Sequence, residues 1–99
     1  MDLEQLKARA GGVCEFCGAD AGLAAVDAAP AGAVLLCETC RAEDVPAAHW
    51  RCLEGAAWSA EPAVQLAVWR KLATLTDAWA VEARAGMDLS DEVRGWTEA

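Results

Sequence analysis

The spacing of apolar and polar positions changes twice along this chain. In DLEQLKARA, Leu3, Leu6 and Ala10 fall on one helical face, Asp2 and Gln5 stand at capping-box spacing, and Gly11-Gly12 stops the run. That predicts a short amphipathic helix. Two apolar runs follow, LAAV at 23–26 and AVLL at 33–36, either side of a Pro-Ala-Gly turn at 30–32. They read as a small β-hairpin. Beyond residue 44 the spacing is helical again. Asp44 is placed to cap a helix over 45–54 that Gly55 stops, with Pro46 tolerated in its first turn. Ser59 is placed to cap the longest element, with Pro62 near its start and Gly86 at its end. Along it Val64, Val68, Leu72, Leu75 and Trp79 recur at spacings of four, four, three and four, which is one helix face. Leu66 and Trp69 widen that face beyond a coiled-coil seam, and Ser90 caps a short last helix through Trp96.

The expected fold is therefore small α+β and mostly α. Residues 1–44 form a short helix plus a four-cysteine unit with a hairpin, and 45–99 form a helical region packed on it, as one compact domain. At 99 residues the core is modest, and folds of this size often add a metal or disulfides as a staple. The net charge of −8 and the scattered basic residues repel a phosphate backbone or an anionic membrane face. A nucleic-acid-binding zinc module is the lesser alternative, with Lys7, Arg9 and Arg41 the residues from which a local basic patch would be built. The N-terminus has no apolar signal-peptide region and no run approaches a membrane span. The expected compartment is the cytoplasm, where paired cysteines at short spacing serve as metal ligands more often than as disulfides.

Cys14, Cys17, Cys37 and Cys40 make C-x2-C-x19-C-x2-C. Zinc takes four soft ligands in a tetrahedron at about 2.3 Å from each sulfur. A CxxC loop turns both thiolates to one side, and the hairpin between the pairs brings the second pair back to the first. Gly18, directly after the first pair, allows the positive φ that such a bend requires. Two disulfides would need an oxidising compartment, a thioredoxin-like redox pair would need a βαβ frame, and iron would suit the same four thiolates. The expectation is one structural Zn2+, because four thiolates leave no open coordination position. In a zinc ribbon both knuckles sit on hairpins, whereas in a treble clef the second pair opens a helix. The helical stretch RAEDVPAAHW after Cys40 favours the treble clef. Nucleases of the HNH type share that frame but place histidines in the hairpin, and this hairpin has none.

His49 and Cys52, in HWRCLEGAAWS, stand three apart, the spacing that puts two ligands on one helix face. Beside a filled quartet they would need Glu43, Asp44 or Glu54 to complete a second site, or would replace a quartet member. As a reactive thiol Cys52 would need an exposed, electropositive setting. The favoured reading is packing, with Trp50, Leu53 and Trp58 around Cys52. The tryptophans Trp50, Trp58, Trp69, Trp79 and Trp96 are likewise read as core before base-stacking or a ligand cage. The face formed by Val64, Val68, Trp69, Leu72, Leu75 and Trp79 is read as core or, where it is left uncovered, as a surface for a protein partner or for self-association.

VCEFCG, LLCETCR, HWRCL, WS-x-x-PAVQLAVWRKL and DLSDEVRGW together resemble the N-terminal part of the PhnA family, over nearly the whole chain. The resemblance implies a zinc ribbon on the four cysteines. It also implies a following all-β domain rich in Gly and Lys, which these 99 residues do not contain. The family's association with alkylphosphonate utilisation does not supply an activity, since neither an open metal position nor a phosphate-cradling loop is visible. The sequence thus points to a non-enzymatic, zinc-stabilised interaction or regulatory module of the PhnA type. The alternative is an enzyme using His49 with Cys52 in phosphonate-related or hydrolytic chemistry.

Overall fold

The computed structural model describes residues 3–42 and 47–98. Asp2, Glu43, Asp44 and Pro46, to which the sequence assigns capping, ligand and first-turn roles, lie outside them. Helix α1 spans Leu3–Ala10 and buries Leu6. Strands β1 (Ala24–Asp27) and β2 (Ala33–Leu36) pair antiparallel, Val26 opposite Val34. Their turn closes through the Ala28 N–H, which donates to the Gly32 carbonyl at 2.8 Å. Gly32 sits at φ +104°, a conformation that a side chain would resist. In β2, Val34, Leu35 and Leu36 are all buried. Alternation sends Val34 and Leu36 into the main core and Leu35 to the opposite face, while α1 and α4 both pack against the strand. A strand covered on both faces reads as a continuous apolar run, which is why AVLL does not alternate.

Helix α2 is a single turn, Glu38–Arg41. Where the sequence predicts one helix over 45–54, the chain forms a 3-10 segment, Ala47–Cys52, running into α3, Leu53–Ala56. Gly55 lies inside α3 rather than stopping it. The tighter winding has a reason in the side chains. With three residues per turn, positions i and i+3 eclipse, so Trp50 stacks with Leu53 and His49 with Cys52. Trp50 and Leu53 are both buried in the core. His49 and Cys52 form the neighbouring edge.

The long helix expected between Ser59 and Gly86 is two helices, α4 (Pro62–Ala73) and α5 (Ala78–Ala85). The break falls at Thr-Leu-Thr-Asp. The Thr74 hydroxyl donates to the Lys71 carbonyl at 2.7 Å, and Asp77, in extended backbone, starts the next helix. Threonine and aspartate compete with the helix for backbone partners and favour its ends. Glu61, not Ser59, is the residue before α4. The Ser59 hydroxyl accepts the Glu61 N–H at 3.1 Å, so its bond falls just ahead of the helix. Val64, Val68 and Leu72 are buried within the protein's own core, Leu75 falls in the break, and Trp79 belongs to α5. Ser90 accepts the Val93 N–H and opens α6, Asp91–Glu98, as the sequence predicts.

The main core joins Phe16, Val34 and Leu36 of the cysteine half to Trp50, Leu53, Val64, Val68, Leu72 and Ala80 of the helical half. Gln65 is the polar member of this interior: its amide donates to the Ser59 carbonyl at 2.9 Å and accepts the Ser90 N–H at 3.1 Å. It therefore ties the entry of α4 to the cap of α6. Gln65→Ala leaves both groups without a partner and is expected to cost about 1–3 kcal/mol, read as a fall in urea midpoint at unchanged slope.

The tryptophans divide. Trp50 is buried, Trp69 and Trp79 are half-buried, and Trp58 is 78% exposed, so Trp58 does not pack around Cys52 as the sequence suggests. No described helix is long and apolar enough to cross a membrane.

Candidate metal centre

The first knuckle is set by its own backbone. Cys14 donates its N–H to the Ala19 carbonyl at 2.7 Å, and its carbonyl accepts the Gly18 N–H at 2.9 Å. Gly18 takes φ +82°, the positive value the sequence predicts for this bend. The Phe16 N–H points at Cys14 Sγ, 3.4 Å away. In the second knuckle Cys37 precedes α2 and its sulfur accepts the Cys40 N–H at 3.4 Å. The second pair thus opens a helix, as in a treble clef, although that helix is one turn long.

The hairpin then brings the knuckles together. Cys17 Sγ and Cys37 Sγ are 3.5 Å apart, and the four sulfurs of Cys14, Cys17, Cys37 and Cys40 all lie within 4.8 Å of one another. A tetrahedron with bonds of about 2.3 Å has sulfurs about 3.8 Å apart, so the four sulfurs are close enough together to surround one ion. All five cysteines are free of disulfides. Four cysteines so placed could hold a metal ion structurally.

This geometry is held by Glu15, which sequence reasoning missed, and by Arg9, which it placed only in a candidate basic patch. Glu15, between the ligands of the first knuckle, donates its N–H to the Leu35 carbonyl at 2.8 Å and accepts the Leu35 N–H on its carboxylate at 3.0 Å. Arg9 of α1 closes the other side, with Nε and Nη2 on Oε1 at 3.0 and 2.8 Å and Nη2 on Oε2 at 2.7 Å. The same Nη2 donates to the Ala33 carbonyl at 3.0 Å. Helix, knuckle and strand meet on one buried carboxylate. The available signal was an acid inside CEFC facing a basic residue one turn before the glycines. On the second knuckle, Arg41 donates to the Gly22 carbonyl at 2.8 Å and ties α2 to the loop after the first.

The thiols ionise unequally. Burial works against a Cys37 thiolate, but the Cys40 N–H and the neighbouring thiols outweigh it and bring its pKa down to about 7. Burial first, then the neighbouring cysteines, push Cys40 far above the ordinary thiol range. Cys52 is pushed up to about 11, by burial and then by the charge of Cys17. The direction is thus downward for Cys37 and upward for Cys40 and Cys52.

The structure also brings HWRC to this cluster. His49 Nε2 is 3.3 Å from Cys40 Sγ, and Cys40, His49 and Cys52 form a second group whose ligand atoms lie within 4.8 Å of one another. Both His49 and Cys52 are half-buried. Glu54, a candidate to complete such a site, is paired with Arg51 instead. Of the proposed partner face, Trp69 carries the Arg84 guanidinium 3.6 Å above its ring. Trp79 lines a groove with Trp58, Arg51, Glu54 and Met87.

Fold and site define a small α+β protein, mostly helical, in which a four-cysteine knuckle unit packs on a helical region. Comparison with protein-family models, curated proteins and solved structures finds no match.

Proposed function

We infer that the chain is a zinc-stabilised, non-enzymatic interaction or regulatory module of the PhnA type, working in the cytoplasm. The observation that carries this reading is the convergence of both knuckles into one compact set of four sulfurs. Four thiolates suit zinc, leave no open position at that ion, and make its binding energy folding energy. Free rather than paired cysteines support a reducing compartment. Against an enzyme built on Cys52 stands its half-buried setting and its raised pKa, since a nucleophilic cysteine needs a stabilised thiolate.

For the interaction role, the support is the exposed Trp58 beside the half-buried Trp79 in an open groove with charges of both signs. A rim of that kind, with aromatic anchors and Arg51, fits a protein partner or a second copy of the chain. A native mass spectrum of the protein as purified tests the metal: zinc with about four displaced protons is expected from the quartet, and a spectrum without metal, or with iron, rejects it. Light scattering of the same sample against Trp58→Ala tests self-association through the groove.

A further inference from the structure

Cys40 belongs to two ligand groups at once. Its sulfur lies in the quartet with Cys14, Cys17 and Cys37, and also in the trio with His49 and Cys52. Cys40 is the one residue these two groups have in common among the described residues. His49 or Cys52 would therefore have to move to take over a quartet position. Neither has to move to bind an ion of its own beside Cys40. The trio's placement follows from the 3-10 winding, which eclipses His49 and Cys52 and sets them against the buried Cys40.

We propose that Cys40, His49 and Cys52 hold a second divalent ion of the zinc class, with Cys40 as a thiolate bridging it to the ion of the quartet. The proposal rests on the quartet being a metal site. Two thiolates and an imidazole are a ligand set that zinc accepts, and three protein ligands leave the fourth position of a tetrahedron open. The half-buried edge formed by His49 and Cys52 gives water or an exogenous ligand access to that position. The two ions then differ in kind: one closed and structural, the other open to exchange.

Charge supports the pairing. One divalent ion among the four quartet thiolates, with Cys52 still a thiol, leaves a local charge of about −2 in a chain already at −8, whereas the second ion with the Cys52 thiolate brings it to about −1. The binding step balances simply. The incoming ion displaces the Cys52 thiol proton to solvent, takes the Nε2 lone pair of neutral His49, and shares the sulfur of Cys40, whose proton left with the first ion. About one proton is therefore released at the second step, against about four at the first.

The test is a metal titration of the full chain, from the metal-free state, with zinc and with cadmium as the spectroscopic probe. Ions per chain are counted by native mass spectrometry, and cadmium-113 resonances are recorded on the wild type. Two ions per chain are expected in the wild type. Cys52→Ser and His49→Ala should keep the first ion and weaken the second by more than about 100-fold, since losing even an outer-shell partner costs 10- to 100-fold. The cadmium form should give two resonances coupled to each other through the shared sulfur. Saturation at one ion in the wild type overturns the proposal and leaves the quartet reading intact. Two ions in both variants overturn it too, by placing the second ion elsewhere. If the variants fail to fold, the wild-type spectrum decides: coupled resonances uphold the bridge, and uncoupled or single ones reject it. Binding of no ion at all rejects the quartet reading itself.

Discussion

Stripping the metal with a chelator is expected to unfold the chain. Around the sulfurs the cysteine half has little regular structure beyond α1: a four-residue α2 and two four-residue strands joined in a single hairpin, which is marginal in water without further support. Structural zinc contributes on the order of 10 kcal/mol or more to such units at neutral pH. That matches or exceeds the whole stability of a typical small domain. The loss should not stop at the knuckles, because Phe16, Val34 and Leu36 supply one wall of the core that buries Trp50, Val64 and Leu72. Near-ultraviolet circular dichroism and tryptophan fluorescence should therefore lose their native signals together with the metal, and regain them when zinc is returned. Cys37→Ser should reproduce the loss in the presence of zinc. A chelated protein that still melts cooperatively within about 2 kcal/mol of the loaded form would show that the ion is not structural.

Glu15→Ala should give a large loss of stability for a substitution outside the apolar core and the cysteines. The carboxylate side chain is 6% exposed and the Arg9 side chain 16%, so removing the acid leaves a nearly buried guanidinium with the more distant Glu61 carboxylate, 3.8 Å away, in place of its main partner, and the Leu35 N–H without an acceptor. Breaking a buried pair from one side costs about 3–5 kcal/mol, which in a chain of this length lowers the melting temperature by more than about 10 °C. Glu15→Gln keeps an acceptor for Leu35 and should cost less. Adding Arg9→Met to Glu15→Gln removes the weakly compensated charge, so the double variant should be more stable than Glu15→Ala. The comparison is made by urea denaturation with zinc in excess, so that metal loss does not masquerade as the effect. A loss below about 1 kcal/mol for Glu15→Ala would place the pair with ordinary surface ion pairs.

What the sequence made legible follows the strength of its local rules. The hairpin, α1 and the Ser90-capped last helix were readable because turn residues, caps and spacing agree at each. The convergence of the two CxxC pairs was readable because a hairpin between them leaves few other places for the second pair to go. The 3-10 winding at 47–52 was not, because HWRC satisfies a spacing of three as well as a helical period and only its packing against Cys40 and the core distinguishes them. The break before α5 had a signal in Thr74, Thr76 and Asp77, but an unbroken apolar rhythm across it spoke for one helix. The Glu15–Arg9 pair was hard to read because it spans the glycines that end α1, and no periodicity reaches across such a turn to join the acid to the base.

The way Glu15 grips Leu35 has a consequence for solubility. A two-stranded sheet has two open edges, and an apolar edge strand is a template for joining another chain. Here the outer edge of β2 is occupied by the first knuckle itself, through one backbone bond and one carboxylate. Among the described residues the other edge is that of β1, which ends in Asp27, a poor invitation to an incoming strand. Opening the knuckle would uncover the outer edge of β2 at Leu35. Metal loss would then turn a protected edge into one open to another chain, so the metal-free chain is expected to associate increasingly with concentration until zinc is returned.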